Sequence, residues 1–411
     1  MHQYFVPPNG SGGTRSYEMA RRFVAAGHRV TLITSSAFFP SDANTDGRVE
    51  EASLDGISLK VIRVPYSNRL GYGRRILAFF KFALLASWQA VRVDRPEVVF
   101  ATSTPLTIAI PGVVARLWHR CPMVFEVRDL WPELPIAMGA LPNPVMRWAA
   151  RRLERLAYWA SSRIVALSPG MRDGVRRTGY PEERIAVVPN SCDVELFRAV
   201  PESEDALVLP FPNGGPVVTY AGTFGAINGV EYLVRVAAQA LEQDPGVRFL
   251  LVGDGAMRER VASEAAASGV LGRNLWIMEP VPKRLVPALM QATTIATSLF
   301  IDVPEMQNNS ANKFFDGLAA GRPVAINYGG WQADLLRETG AGLVLPREAG
   351  EAAAMLVAFA RDRAAIEAAS RSAVRLASGP FSRDRLAQQL RTVLEQAAGE
   401  AGSRHVRPGA V

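Results

Sequence analysis

The stretch Val217-Val-Thr-Tyr-Ala-Gly-Thr-Phe-Gly225 decides the fold class of this 411-residue chain. Its first five residues are apolar or β-branched with no polar alternation, and a loop of small residues follows, opening toward a helical stretch from about Val230. A strand that is apolar on both faces belongs to a parallel sheet covered by helices on both sides. Ligands of such sheets sit outside the carboxyl ends of the strands, so Gly222 and Thr223 are candidate binding residues.

The same pattern repeats outward from this point. Downstream, strands are expected at Val247–Gly253, Asn274–Glu279, Thr294–Phe300, Pro323–Tyr328 and Gly342–Leu345. Upstream they are expected at Met1–Val6, Arg29–Ser35, Leu59–Tyr66, Glu97–Ser103, Met123–Asp129, Arg163–Ser168 and Ile185–Asn190. Helical stretches separate them; Thr14 stands where it can cap the first, and Gly27 where it can end it. Such alternation gives an α/β chain with parallel sheets.

A chain of 411 residues exceeds the roughly 250–300 at which one core stops growing, so two domains are expected. Residues 198–216 hold four prolines and two adjacent glycines beside an acidic cluster, which is linker composition. The expected domains are 1–205 and 206–380, followed by a helix over 381–398 and a disordered tail over 399–411.

Composition narrows the partners. The net charge of +7 fits phosphate-bearing ligands, anionic lipid or nucleic acid. No stretch interleaves basic with aromatic residues in an RNA-reading pattern, so nucleic acid is not expected. Cys121 and Cys192 stand far apart, and the four histidines show no ligand spacing, so no metal is expected and a reducing, cytoplasmic compartment is. No G-x-G-x-x-G opens either half, which disfavours a dinucleotide oxidoreductase.

Five motifs carry the chemistry. Pro7-Pro-Asn-Gly-Ser-Gly-Gly13 precedes the first helix, where free amides and the positive dipole end suit an anion; Gly12 and Gly13 are its candidates. The Gly222–Thr223 loop is the second. The third is Leu251-Val-Gly-Asp-Gly255, with Gly253 and Asp254 at another strand end. The two loops that end the first strands of the halves are expected to face each other across a cleft. The fourth, Asn308-Asn-Ser-Ala-Asn-Lys-Phe-Phe-Asp-Gly-Leu-Ala-Ala-Gly-Arg-Pro323, places Asn312 and Lys313 near a helix start and Asp316 three residues on. A cation and amides for phosphate with a carboxylate for ribose hydroxyls make a nucleotide clamp. The fifth, Glu126-Val-Arg-Asp-Leu-Trp-Pro-Glu133, gathers Arg128, Asp129 and Glu133 beside Trp131, a set suited to sugar hydroxyls and a sugar face.

Together these motifs resemble the retaining GT-B glycosyltransferases of family 4. The likeness runs through HQYFVPP and GG, GHRVTLIT, VRDLWPE, IVALSPGM, RIAVVPNSCD, VRFLLVGDGAMRE and KFFDGLAAGRPV, nearly the whole chain. Within the family the sequence is similar to bacterial enzymes of surface-polysaccharide assembly, acetamido-sugar transferases among them. The resemblance implies two Rossmann-like doubly wound domains and a C-terminal helix crossing back to the first. It implies metal-independent transfer, with retention, from a nucleotide-sugar donor, expected to be a UDP-sugar, to a glycan or lipid-linked acceptor.

It further implies that the second half holds the donor and the first half the acceptor, through Trp131 and Glu133. Asp316 stands at the family's second acidic position, which contacts the donor ribose, whereas Asn308 stands at the first, leaving Glu305 the nearest carboxylate. Thr223 and Asn228 stand near positions where members often carry an Arg and a Lys, and Arg128 where many carry a histidine. Lys313 is then the best remaining diphosphate contact, and Arg128, Asp129 and Lys313 are the expected catalytic set. A non-hydrolysing sugar-nucleotide epimerase of the same fold is the alternative; it would need acid–base groups in the cleft, where histidines are scarce.

Residues 69–92, RLGYGRRILAFFKFALLASWQAVR, are too short and too charged to span a bilayer. Their basic flanks and Trp88 suit an interfacial helix on the anionic inner face of the membrane, with Arg147–Arg155 adding four arginines.

Overall fold

The computed structural model describes residues 1–8, 10, 12–39, 48–64, 72–198, 207–211 and 214–405. The chain divides into two compact units, one of Met1–Pro189 with Asp384–Val411 and one of Asn190–Arg383. The expected boundary near residue 205 falls outside the described residues.

The first unit contains β1 (Thr31–Ser35), β2 (Val49–Leu54), β3 (Ile57–Ile62), β4 (Val99–Thr102), β5 (Met123–Val127), β6 (Arg163–Ala166) and β7 (Ile185–Val187). They run in the orders β2-β3-β1 and β4-β5-β6-β7, all parallel except β2. The N-terminal residues join the two sets: His2 N–H donates to Ile33 O, Ser35 N–H to Gln3 O, and Thr102 N–H to Met1 O. A turn at Gln3-Tyr4 interrupts this ladder, so the strand expected at Met1–Val6 is not a regular one. β2 has no counterpart among the expected strands because VEEASL is half-exposed and reads as polar text. Leu54 pairs with Ile57, leaving Asp55 (φ 49°) and Gly56 (φ 79°) as a two-residue hairpin turn. The Asp-Gly pair is the signal that could have revealed it.

The two faces of this sheet carry different cores. Met123, Phe125 and Val127 of β5 point into a cluster that also takes Phe82 and Ala86, Ala109 and Ala115, and Ala157 and Tyr158. These pairs come from the helices Tyr72–Ala90, Ala109–His119 and Pro144–Trp159. Val124 points the other way, with Met19 and Phe23 of the helix Arg15–Ala25 and with Leu386, Leu390, Val393 and Ala397. Those last four belong to the C-terminal helix Arg383–His405, which lies on the first unit and continues beyond residue 399, where a tail was expected. Thr14, expected to cap the first helix, stands at its cap position without a side-chain cap hydrogen bond, its backbone lying outside the extended region a capping side chain needs (φ −89°, ψ 15°).

The second unit contains β8 (Val217–Ala221), β9 (Arg248–Val252), β10 (Leu275–Met278), β11 (Ile295–Ser298), β12 (Val324–Ile326) and β13 (Gly342–Val344). All six are parallel in the order β10-β9-β8-β11-β12-β13. Numbered within the unit this is 3-2-1-4-5-6, the doubly wound order, and the direction of winding reverses between β8 and β11. β9 shows the expected burial on both faces: Phe249 and Leu251 enter one cluster, Leu250 and Val252 the other.

Candidate functional site

The winding reversal of the second unit brings the loop after β8 beside the helix Asn312–Ala319, which follows β11. Backbone hydrogen bonds tie this loop to its neighbours. Gly222 N–H donates to Val252 O, Phe224 N–H to Asp254 O and Met257 N–H to Phe224 O. Glycine is required by close approach here: a Cβ on Gly253 would lie 1.9 Å from Gly222 O, and one on Gly255 2.5 Å from Phe224 O. Thr223 and Asp254 are exposed on the rim. Arg258 donates to Gly253 O and pairs with Glu279, tying the Gly253 loop to the strand end beside it.

Lys313 lies across this loop. A Cβ on Gly222 would be 2.2 Å from its Cε, so the lysine stem runs directly over the glycine. Its Nζ is 3.2 Å from Asn228 Oδ1 and 5.2 Å from the centroid of the Tyr220 ring. Burial pushes the amine down to about 8, with the charge of Asp316 opposing that shift. Tyr220 is itself pinned, its hydroxyl donating to Thr223 O at 2.7 Å.

The helix behind Lys313 opens with Ala311 at its cap position, which has no side-chain cap to offer. In its first turn Phe314 N–H donates to Ala311 O, and Asn312 is exposed at the helix opening. Asn190 fixes the approach, its N–H donating to Ser310 Oγ and its Nδ2 to Ser310 O. Phe314, Phe315 and Leu318 anchor the helix as fully buried residues. Asp316 pairs with Lys283, Nζ to Oδ1 3.3 Å, and Lys283 also lies 5.9 Å from the Phe197 ring centroid. The sequence reading did not include Lys283; only its place at a strand-end loop, after β10, marked it. Asn308 and Glu305 lie on the single turn Pro304–Asn308.

In the first unit the end of β5 carries the polar set. Glu126 is not available for a ligand: its Oε1 takes Arg15 Nε at 3.0 Å and Nη2 at 2.8 Å, and its Oε2 takes the Thr102 hydroxyl. Arg15 also donates to Val188 O and Pro189 O. Arg128 Nη1 lies 3.0 Å from His2 Nε2. A guanidinium only donates, so Nε2 accepts; the ring proton is then on Nδ1, 2.9 Å from Ser16 Oγ. Burial and the Arg128 charge hold His2 well below the usual histidine range, in keeping with this neutral form.

Asp129 accepts from Thr104 Oγ1 at 2.7 Å, and burial raises its carboxyl above the ordinary value, against Thr104 and Arg128. Trp131 is half-buried and Glu133 exposed, at the start of the short helix Glu133–Ala137. Glu154, absent from the sequence reading, is a buried carboxyl pushed up to about 7 by burial and then by Glu133. Gly12 and Gly13 lie just ahead of the helix Arg15–Ala25, also in the first unit. Thus Gly222, Thr223, Gly253, Asp254, Asn312, Lys313 and Asp316 gather at one end of the second unit, and Arg128, Asp129, Trp131 and Glu133 at one strand end of the first.

Two Rossmann-like units, one with a glycine-lined, cation-bearing switch point, give the architecture of the GT-B fold. The family comparison agrees: residues 10–191 match the glycosyl transferase 4-like domain and residues 215–362 match glycosyl transferases group 1. The chain belongs to the GT-B glycosyltransferases of family 4.

It is 28% identical over 244 residues to the D-inositol 3-phosphate glycosyltransferase of Nocardia farcinica, covering 57% of this chain and 52% of that protein. The chain thus spans about half the length of that relative. The crystal structure of Anabaena HepE in complex with UDP and glucose superposes with a TM-score of 0.68 at 18% identity, covering 96% of this chain and 100% of that one. Sucrose-phosphate synthase from Thermosynechococcus elongatus gives a TM-score of 0.72 at 17% identity, covering 96% of this chain and 98% of that one. At such identities these two establish the fold.

Proposed function

We propose that the chain transfers a sugar, with retention and without a metal, from a UDP-sugar to a glycan or lipid-linked acceptor in surface-polysaccharide assembly. An N-acetylamino sugar is the class we assign to the donor. The carrying observation is the Lys313 amine buried against the Tyr220 ring over Gly222, beside the uncapped first turn of its helix. Departure of a nucleoside diphosphate leaves negative charge on its oxygens. A cation and fixed amides already in place stabilise that charge without reorganisation. Asp316, with Lys283 beside it, is the ribose acceptor of the scheme, and Gly253 and Asp254 form its rim.

Asp129, Arg128, Trp131 and Glu133 supply acceptor recognition and orient sugar hydroxyls; Gly12 and Gly13 add amides for the donor phosphates. Retention without an enzymic nucleophile places acceptor attack on the face the diphosphate leaves, with a phosphate oxygen taking the acceptor proton. The proposed location is the cytoplasm, peripheral to the inner face of the cell membrane. UDP in the Anabaena HepE complex supports the choice of base.

The test is a thermal-shift series with UDP, GDP and dTDP, then mass spectrometry of acceptor reactions with the winning donor in EDTA. Stabilisation by UDP, and transfer that survives EDTA, is expected. No response to any nucleotide by a folded protein would overturn the reading.

A further inference from the structure

The three helices Tyr72–Ala90, Ala109–His119 and Pro144–Trp159 all pack into the same core cluster, on one face of the first unit's sheet. Their outer faces therefore point the same way. His119 Nε2 lies 2.8 Å from Ala90 O, which brings the ends of the first two helices together.

Those outer faces are apolar where solvent would favour polar groups. On the first helix Leu77, Leu84 and Trp88 form one stripe at helical spacing, and all are more than half exposed. Trp118 is 67% exposed at the end of the second helix. On the third, Trp148 and Trp159, one face apart by three turns, are 60% and 77% exposed. A lone exposed apolar residue needs no explanation, but a run of them across three adjacent helices marks a contact surface.

The charges of the same helices have one sign. Their sequences contain eight Lys and Arg and a single acid, Glu154, which is buried. Arg74, Arg151, Arg152 and Arg155 are exposed among the aromatic rings. Arg92 stands 4.2 Å from the centroid of Trp88, and Arg152 5.4 Å from that of Trp148. Cations beside amphipathic rings are the composition of a membrane–water interface. Among the described residues no helix is long and apolar enough to cross a membrane.

We propose that this three-helix face docks on an anionic lipid bilayer. The rings enter the headgroup layer while the arginines meet lipid phosphates. It rests on the reading above only in that a lipid-linked acceptor would be met there.

The test uses the full chain with phosphatidylcholine vesicles prepared with and without phosphatidylglycerol. Flotation with the anionic vesicles alone is expected, reversed by salt. The triple variant Arg151→Gln, Arg152→Gln, Arg155→Gln should lower partitioning roughly 100-fold, at about 1 kcal/mol per cation. The pair Trp148→Ser and Trp159→Ser should weaken flotation and reduce the blue shift of tryptophan fluorescence on binding, the remainder coming from Trp88 and Trp118. These positions are exposed, so both variants should keep the wild-type response to UDP, which reports the sugar-nucleotide site separately. Absence of flotation would overturn the proposal, as would flotation that neither variant weakens. So would self-association without vesicles that these substitutions abolish, since the face would then belong to a second copy.

Discussion

The Nζ of Lys313 lies 3.2 Å from the side-chain oxygen of Asn228, a neutral partner, in place of a carboxylate. The charge is positioned by an amide dipole and the Tyr220 face, and neither neutralises it. A cation stored in that way remains available to an anion. Replacing Lys313 by alanine should lower kcat by roughly 10²–10³, as for loss of one oxyanion donor, with the circular dichroism spectrum unchanged. Steady-state kinetics with the donor identified by the nucleotide screen measures it; unchanged turnover would remove Lys313 from the scheme.

The same amine makes donor binding sensitive to pH. Its folded value is about 8, against 10.5 for a free lysine side chain. As pH rises through 8 the free enzyme loses the charge, so kcat/KM for the donor should fall about tenfold per pH unit above it. The stability slope has the opposite sense. Between 8 and 10.5 the unfolded chain holds a proton that the folded chain has lost, so stability rises with pH across that window. Lys313→Met should therefore raise Tm at pH 7, and the gain should shrink toward pH 10. A variant that is both less stable and inactive at pH 7 would contradict the buried-cation account.

Asp316 influences Lys313 through charge and holds Lys283 directly. Asp316→Asn should raise KM for the nucleotide sugar about 10–100-fold, the range of a hydrogen bond to a charged group. It should also move the alkaline fall of kcat/KM to lower pH, because the charge that supports the Lys313 ammonium is gone. A KM effect with an unmoved pH profile would confine Asp316 to the ribose.

Gly253 and Gly272 both have positive φ, but only the first is crowded. A methyl at Gly253 would stand 1.9 Å from Gly222 O, whereas one at Gly272 meets nothing within 4 Å. Gly253→Ala should cost roughly 2–4 kcal/mol and abolish the nucleotide thermal shift. Gly272→Ala should cost about 1 kcal/mol and leave the shift intact. Urea melts of the two variants compare them directly.

Much of this was legible in the sequence, for a physical reason. Buried parallel strands are apolar on both faces, so twelve of the thirteen strands among the described residues announce themselves as runs, and glycines that permit backbone contact stand after β8 and β9. β2 escaped because it is an exposed antiparallel edge strand, and its text is that of a loop. The site was legible as a set of loops and a lysine, but its pairing was not. Lys313 and Asp316, one turn apart, read as a natural pair; the fold gives the lysine to Asn228 and the aspartate to Lys283. Those partners lie 85 and 33 residues away, and only the winding order of the sheet brings them close.

Glu126 shows the same limit and carries the last prediction. Its motif reads as one polar cluster, yet its carboxylate is 1% exposed and locked to Arg15, which is 3% exposed. Neither charge can reach water if the other is removed. Arg15→Met should cost roughly 3–5 kcal/mol, because it removes the guanidinium paired to a buried carboxylate and leaves it the Thr102 hydroxyl as hydrogen-bond donor. Adding Glu126→Leu to it should recover part of that loss, since the stranded charge is removed with its partner. Urea denaturation of the two singles and the double gives the coupling energy. Additive losses would mean that water or another cation already serves Glu126. A positive coupling would assign Glu126 to the frame that holds β5, leaving Arg128, Asp129 and Glu133 as the members of the motif open to a sugar.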